Sequence, residues 1–178
     1  MNRLSGKVAV VTGGNAGIGE AIAKVFAREG ASVVITGRRQ GELYRVVSDI
    51  VKEQGKVFAV VGSVTDESHV QEAVRQAVQQ FGRLDILINN AGVGDFGRRL
   101  HEIDDTTWAH VLDVNLTGVF RMTRAALPQM LEQGKGVIVN ISSVASLIGL
   151  PTLPVYAASK GALDAMTRAL AVDYAREG

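Results

Sequence analysis

Tyr156 and Lys160 stand four residues apart in Val155-Tyr-Ala-Ala-Ser-Lys160, a spacing that on a helix puts a phenol and an ammonium on one face, one turn apart. A tyrosine phenol ordinarily titrates near about 10, too high for an efficient base at neutral pH, and a neighbouring positive charge favours its phenolate. The pair suits proton transfer to or from an oxygen, and the lysine can also donate to hydroxyl groups of a bound ligand. Taken alone, Tyr-x-x-x-Lys is more often a solvated pair on a helix surface. Here it follows an apolar run that ends Asn140-Ile-Ser142-Ser143, so a hydroxyl from a strand end stands ready to bind a reacting oxygen.

A second pattern lies near the N-terminus. Val8-Ala-Val-Val-Thr-Gly-Gly-Asn-Ala-Gly-Ile-Gly19 places Gly13, Gly17 and Gly19 between a strand-like run and a helix-like one. Glycine permits positive φ and close backbone approach, and the free N–H groups and dipole of the following helix attract an anion. A glycine string by itself marks no more than a tight turn. Placed after the first buried strand, opening a helix, with the next strand close behind, it points to the phosphates of a dinucleotide.

The elements that must position these groups follow from the apolar pattern. Short β-branched runs at 7–12, 32–36, 57–61, 86–89 and 137–141 are apolar at nearly every position, which marks parallel strands with both sheet faces covered by helices. Helical periods occupy 18–29, 42–54, 67–81, 105–133 and 155–176. In the first of these, Ile18, Ile22, Val25 and Phe26 make one apolar face, with Gly30 as its stop. The 105–133 stretch holds Asn115, Gly118 and Pro128, so it reads as two helices meeting near Asn115 or one bent helix. The order gives an α/β class: a doubly wound parallel Rossmann sheet in three α/β/α layers, a single domain over 1–178.

Composition sets the exclusions. The chain has no cysteine, which removes disulfides, thiolate catalysis and cysteine-held metal sites. His69, His101 and His110 share no paired spacing, so no metal site is expected, and His110 reads as a helix-surface residue. A net charge of +1, evenly scattered, offers no basic patch for a nucleic-acid partner. No run approaches the roughly 20 apolar residues of a bilayer span, and the first residues carry no apolar leader. A cytoplasmic location with no membrane partner is expected.

Thr12-Gly-x-x-x-Gly-x-Gly19, Asn89-Asn-Ala-Gly92, Asn140-Ile-Ser-Ser143 and Tyr156-Ala-Ala-Ser-Lys160 occur in that order across nearly the whole chain. Together they resemble the short-chain dehydrogenase/reductase family, with the general look of its 3-oxoacyl-carrier-protein reductases. The resemblance implies NAD(P)-dependent oxidation of alcohols or reduction of carbonyls on a small-molecule substrate. It selects Ser143 over Ser142 and makes Asn115, Ser143, Tyr156 and Lys160 the catalytic group, Asn115 supporting a water-linked proton relay. It places the cofactor against Gly13, Asn15, Ala16, Gly17, Ile18, Gly19, Arg38, Val64, Asn90, Ala91 and Gly92, with Tyr156 and Lys160. It also implies a homo-oligomer, dimer or tetramer, through the helices near 116–133 and 155–176.

Three positions refine that picture. Gly37 stands where NAD-preferring relatives carry Asp, and Arg38 after it suits a 2′-phosphate, so NADP(H) is favoured over NAD(H). Asn15 and Ala16 add no second basic group. Ser63 replaces an aspartate that relatives usually place near the adenine. The sequence ends at Gly178, so the expected sheet lacks the family's last two strands, and the apolar run 137–141 is left as an edge that something must cover. The alternative to an active enzyme is a shortened, catalytically weak or silent nucleotide-binding or interaction protein.

Overall fold

The computed structural model describes residues 2–178. Its strands are β1 (Val8–Thr12), β2 (Ser32–Gly37), β3 (Lys56–Val61), β4 (Ile86–Asn89) and β5 (Val137–Asn140). They form one sheet in the order β3-β2-β1-β4-β5, parallel throughout. Val10 lies opposite Val34 on one side and Leu87 on the other, and Ile88 lies opposite Val139. β1 and β4 are buried at every position, which is why their sequences are apolar without alternation.

The helices are α1 (Gly17–Arg28), α2 (Gln40–Lys52), α3 (Glu67–Phe81), α4 (Asp105–Leu112), α5 (Gly118–Glu132) and α6 (Pro154–Asp173). Val70, Ala73 and Val74 of α3 and Met122 and Ala126 of α5 pack with Val10, Val34 and Leu87 on one face of the sheet. Ala23 and Ala27 of α1 and Leu43, Val46 and Ile50 of α2 pack with Val11, Val33 and Ile35 on the other. The first two helices are also tied by charge. Lys24 bridges Glu20 at 2.7 Å and Asp49 at 2.9 Å, and Arg45 reaches Glu20 at 2.7 Å.

Two expectations change, and one open alternative is resolved. The buried face of α1 is the small-residue line Gly19, Ala23 and Ala27, with Ile22 and Phe26 partly buried; Ile18 is 63% and Val25 45% exposed. Helix and sheet approach so closely there that large side chains are turned aside. Coverage of both sheet faces holds for the centre but not for β5, where Val137 is 50% and Val139 39% exposed. Among the described residues no helix moves over to cover it. Finally, the 105–133 stretch is one continuous run whose middle, Asp113–Thr117, is a π-helical turn between α4 and α5. The extra residue in that wide turn swings Asn115 inward, and Pro128 sits inside α5.

Candidate active site

The order in which strands are added reverses between β1 and β4, which run parallel with their outward connections leading to opposite sides, and a crevice opens beyond their carboxyl ends. Thr12 fastens its two walls together. Its buried hydroxyl accepts from Asn90 N at 2.9 Å and Ala91 N at 3.0 Å and donates to Ile88 O at 3.3 Å. Asn90 returns the contact, its Nδ2 donating to Thr12 O at 2.9 Å.

Of the residues expected at a dinucleotide, Gly13, Asn15, Ala16, Arg38, Val64, Asn90, Ala91 and Gly92 line this crevice. Gly17, Ile18 and Gly19 form the first turn of α1 beside it. Ala16, at the cap position, is extended and supplies no side-chain hydrogen bond to that turn. Gly17 takes φ +55° with open space where a Cβ would stand, whereas a Cβ on Gly19 would lie 2.4 Å from Gly13 O. Gly17 is needed for its backbone angle, Gly19 for close packing.

Where β2 ends, Arg38 is exposed on the crevice wall. Its neighbour Arg39, which the sequence pattern did not single out, is the one held in place: the Asn15 side-chain oxygen accepts from Arg39 Nε at 3.1 Å and Nη2 at 2.7 Å. A Cβ on Gly37 would meet the Asn15 amide at 2.4 Å. The Ser63 hydroxyl is spent locally, 2.8 Å from Thr65 Oγ1. Thr36 Oγ1, also in the crevice wall, is buried without a partner.

The other end holds Tyr156 and Lys160. Lys160 is 4% exposed, its Nζ donates to Ile141 O at 2.7 Å, and it stands 5.7 Å from the centre of the Tyr156 ring. Burial lowers its pKa, with Asp164 acting weakly the other way. A Cβ on Gly92 would lie 3.9 Å from Lys160 Nζ and 3.4 Å from Asn115 Oδ1, so this end joins the crevice directly. Asn115, fully buried, donates to Val93 O at 2.8 Å and to Ser159 Oγ at 3.0 Å and accepts from Val93 N at 2.8 Å. Ser159 Oγ in turn donates to the backbone carbonyl of Tyr156 at 2.7 Å. The side chain of Asn115 is thus committed to holding the loop after β4 against α6, and Ser159 is a link in that clamp that the sequence pattern did not mark.

Ser143 caps a short 3₁₀ turn, Val144–Ser146, its Oγ accepting from Ala145 N at 3.2 Å. Ser142 Oγ is buried without a hydrogen-bond partner, and the Ser146 hydroxyl donates to Ser143 O at 2.7 Å. Around the mouth, Phe96 lies 6.2 Å from the Tyr156 ring and is 73% exposed, and Leu147 and Ile148 are exposed as well. The mouth beside Tyr156 thus exposes apolar side chains. His110 is exposed on α4, and no helix among the described residues is long and apolar enough to cross a membrane.

Known proteins share this arrangement. The family model described as short chain dehydrogenase matches residues 7–178. The 2-(S)-hydroxypropyl-CoM dehydrogenase 3 of Xanthobacter autotrophicus is 43% identical over 99% of this chain and 69% of its own. A 3-oxoacyl-[acyl-carrier-protein] reductase of Thermotoga maritima is 40% identical over 97% of this chain and 70% of its own. The crystal structure of a putative short-chain dehydrogenase/reductase from Burkholderia xenovorans superposes with a TM-score of 0.95 at 37% identity, covering all of this chain and 73% of that one. Fold, motif order and relatives agree: the chain belongs to the short-chain dehydrogenase family.

Proposed function

We propose that the chain moves a hydride between NADP(H) and a small carbonyl compound or secondary alcohol, with Tyr156 as the proton donor and acceptor. The observation that carries this reading is the buried Lys160 ammonium beside the Tyr156 ring, at the open end of a phosphate-binding crevice. The crevice suits a dinucleotide: the first turn of α1 has no side-chain cap, and Thr36 Oγ1 lacks a partner. Gly13, Asn15, Ala16, Gly17, Ile18 and Gly19 would hold the phosphates, Val64 the adenine side, and Asn90, Ala91 and Gly92 the nicotinamide side. When bound, the nicotinamide supplies or takes the hydride.

The chain's own residues manage the proton. In reduction Tyr156 gives its phenolic proton to the substrate oxygen as the carbon accepts hydride, so a ketone becomes an alcohol; oxidation runs the same transfer backwards. Lys160 sets a positive charge beside the phenol and offers its ammonium to a ribose hydroxyl. Ser143 donates to the substrate oxygen, and Asn115 keeps the loop and helix in register for a water-linked relay. The named relatives act on a hydroxypropyl and a 3-oxoacyl group, which supports alcohol–carbonyl chemistry here.

NADP(H) preference rests on Gly37, which leaves no carboxylate against a 2′-phosphate, and on Arg38 at the crevice wall. Residues 1–178 act as one dinucleotide-binding domain, in the cytoplasm. The chain assembles as a dimer or tetramer through the apolar groove between α5 and α6, where Phe120, Leu127, Leu131 and Leu170 are in reach of a second copy. The test is NADPH oxidation at 340 nm with a panel of ketones. Tyr156→Phe is expected to lower turnover by about 10²–10⁴ while NADPH still binds. Binding without turnover on any carbonyl would defeat the proposal and favour a nucleotide-binding role. Arg38→Asp is expected to move preference toward NADH, and an unchanged preference would remove Arg38 from the account.

A further inference from the structure

The first turn of α6 lacks the means to cap itself. Its cap residue is Leu153, with no hydrogen-bonding side chain, and its first helical residue is Pro154, which has no N–H. Two donors remain before the helix's own bonding begins with Ala157 N to Leu153 O at 3.0 Å: the backbone N–H groups of Val155 and Tyr156. Both are taken by one side chain from 60 residues upstream. Asp95 Oδ2 accepts from Val155 N at 3.0 Å and Oδ1 from Tyr156 N at 3.0 Å. Asp95 is 4% exposed.

We infer that Asp95 is a positioning residue for the proton-transfer group, fixing the backbone from which the Tyr156 phenol projects. Three neighbouring contacts run the same way. Gly97 N donates to Thr152 O at 3.2 Å, just before the helix. Phe96 lies against the Tyr156 ring. A Cβ on Gly94 would stand 2.4 Å from the Phe96 ring, so the loop's own turn is tight beside that contact. Asn115 and Ser159 clamp the same turn from its inner side, reaching Val93 and Tyr156 O. Tyr156 is therefore held at its N–H by Asp95 and at its carbonyl by Ser159. Asp95 does not line the dinucleotide crevice, so its effect is expected on the rate and not on cofactor binding.

This inference rests on Tyr156 acting as the acid–base group, and its test separates the two. Asp95→Ala leaves both N–H groups without an acceptor; Asp95→Asn keeps one oxygen for one of them. With a carbonyl substrate, Asp95→Ala is expected to lower kcat at least ten-fold with the NADPH KM within two-fold, and Asp95→Asn to recover much of the loss. Wild-type kcat in Asp95→Ala, or a loss that Asp95→Asn does not recover, overturns the inference. Hydrogen exchange of the amides of Val155 and Tyr156 reads the same contact without any turnover. Exchange at least ten-fold faster in Asp95→Ala, in a variant with native circular dichroism, supports the inference, and unchanged exchange overturns it. If Tyr156→Phe turns over normally, the acid–base reading fails, while the exchange result still decides whether Asp95 holds the turn.

Discussion

Replacing Thr12 with valine tests whether one hydroxyl joins the two halves of the crevice. Valine keeps the branched shape, so the change removes hydrogen bonding with little change in volume. The hydroxyl is saturated: it accepts twice, from Asn90 N and Ala91 N, and donates once, to Ile88 O. An unsatisfied buried donor costs about 1–3 kcal/mol. These two amides are part-buried, so the lower part of that range applies, about 2–3 kcal/mol together. For a chain of 178 residues each kcal/mol shifts Tm by about 2–4 °C, giving a fall of roughly 4–12 °C. Thr12→Ser keeps every hydrogen bond and loses one methyl group, at a cost of about 1 kcal/mol. Urea unfolding followed by circular dichroism should rank wild type above serine above valine, with a changed midpoint and an unchanged slope. A valine variant as stable as the serine variant would refute the assignment of Thr12 as the fastening.

Two further expectations concern α1. Gly19→Ala pushes a methyl group into Gly13 O at 2.4 Å, a backbone atom that cannot swing aside; a loss of about 1–3 kcal/mol is expected, with weaker NADPH binding by isothermal titration, and neutral behaviour in both assays would contradict the close-packing account. Glu20 is held at about 2, first by its hydrogen bonds to Arg45 and then to Lys24. Its folded pKa lies below the usual glutamate value, so its contribution is complete above about pH 4.3 and is lost as pH falls toward about 2. Arg45 is 46% exposed, so solvent screening reduces that contribution to about 1 kcal/mol. Glu20→Gln should flatten the acid limb of stability between about pH 4.5 and 2, and an unchanged limb would place the acid sensitivity elsewhere.

The sheet was legible because its strands are buried on both faces, and continuous burial writes a continuous apolar run. The two catalytic candidates on α6 were legible because four-residue spacing survives any rotation of the helix. What the sequence could not show was which groups satisfy each other across long separations. Leu153-Pro154 does announce that the following turn has no cap of its own, yet nothing local names Asp95 as the supplier. Ile18 and Val25 misled for a related reason: hydrophobic periodicity locates an apolar stripe but does not say how close the sheet will come. Glycine and alanine at 19, 23 and 27 carry that information, and a reading weighted toward large residues passes over them. Arg39 was missed because its role depends on the position of Asn15, 24 residues away in the chain and adjacent only once β1 and β2 have paired.

The fastening between β1 and β4 also sets a schedule. Thr12 and Asn90 are 78 residues apart, so on the ribosome, at about 5–20 residues per second, the glycine turn waits roughly 4–16 s before its partner is even synthesised. During that interval β1, β2 and β3 can align, but the centre of the sheet has one open side and the crevice has one wall. The dinucleotide therefore has nothing complete to bind until the segment after β4 has emerged. A dinucleotide binding there would stabilise a nearly finished chain rather than template its first half.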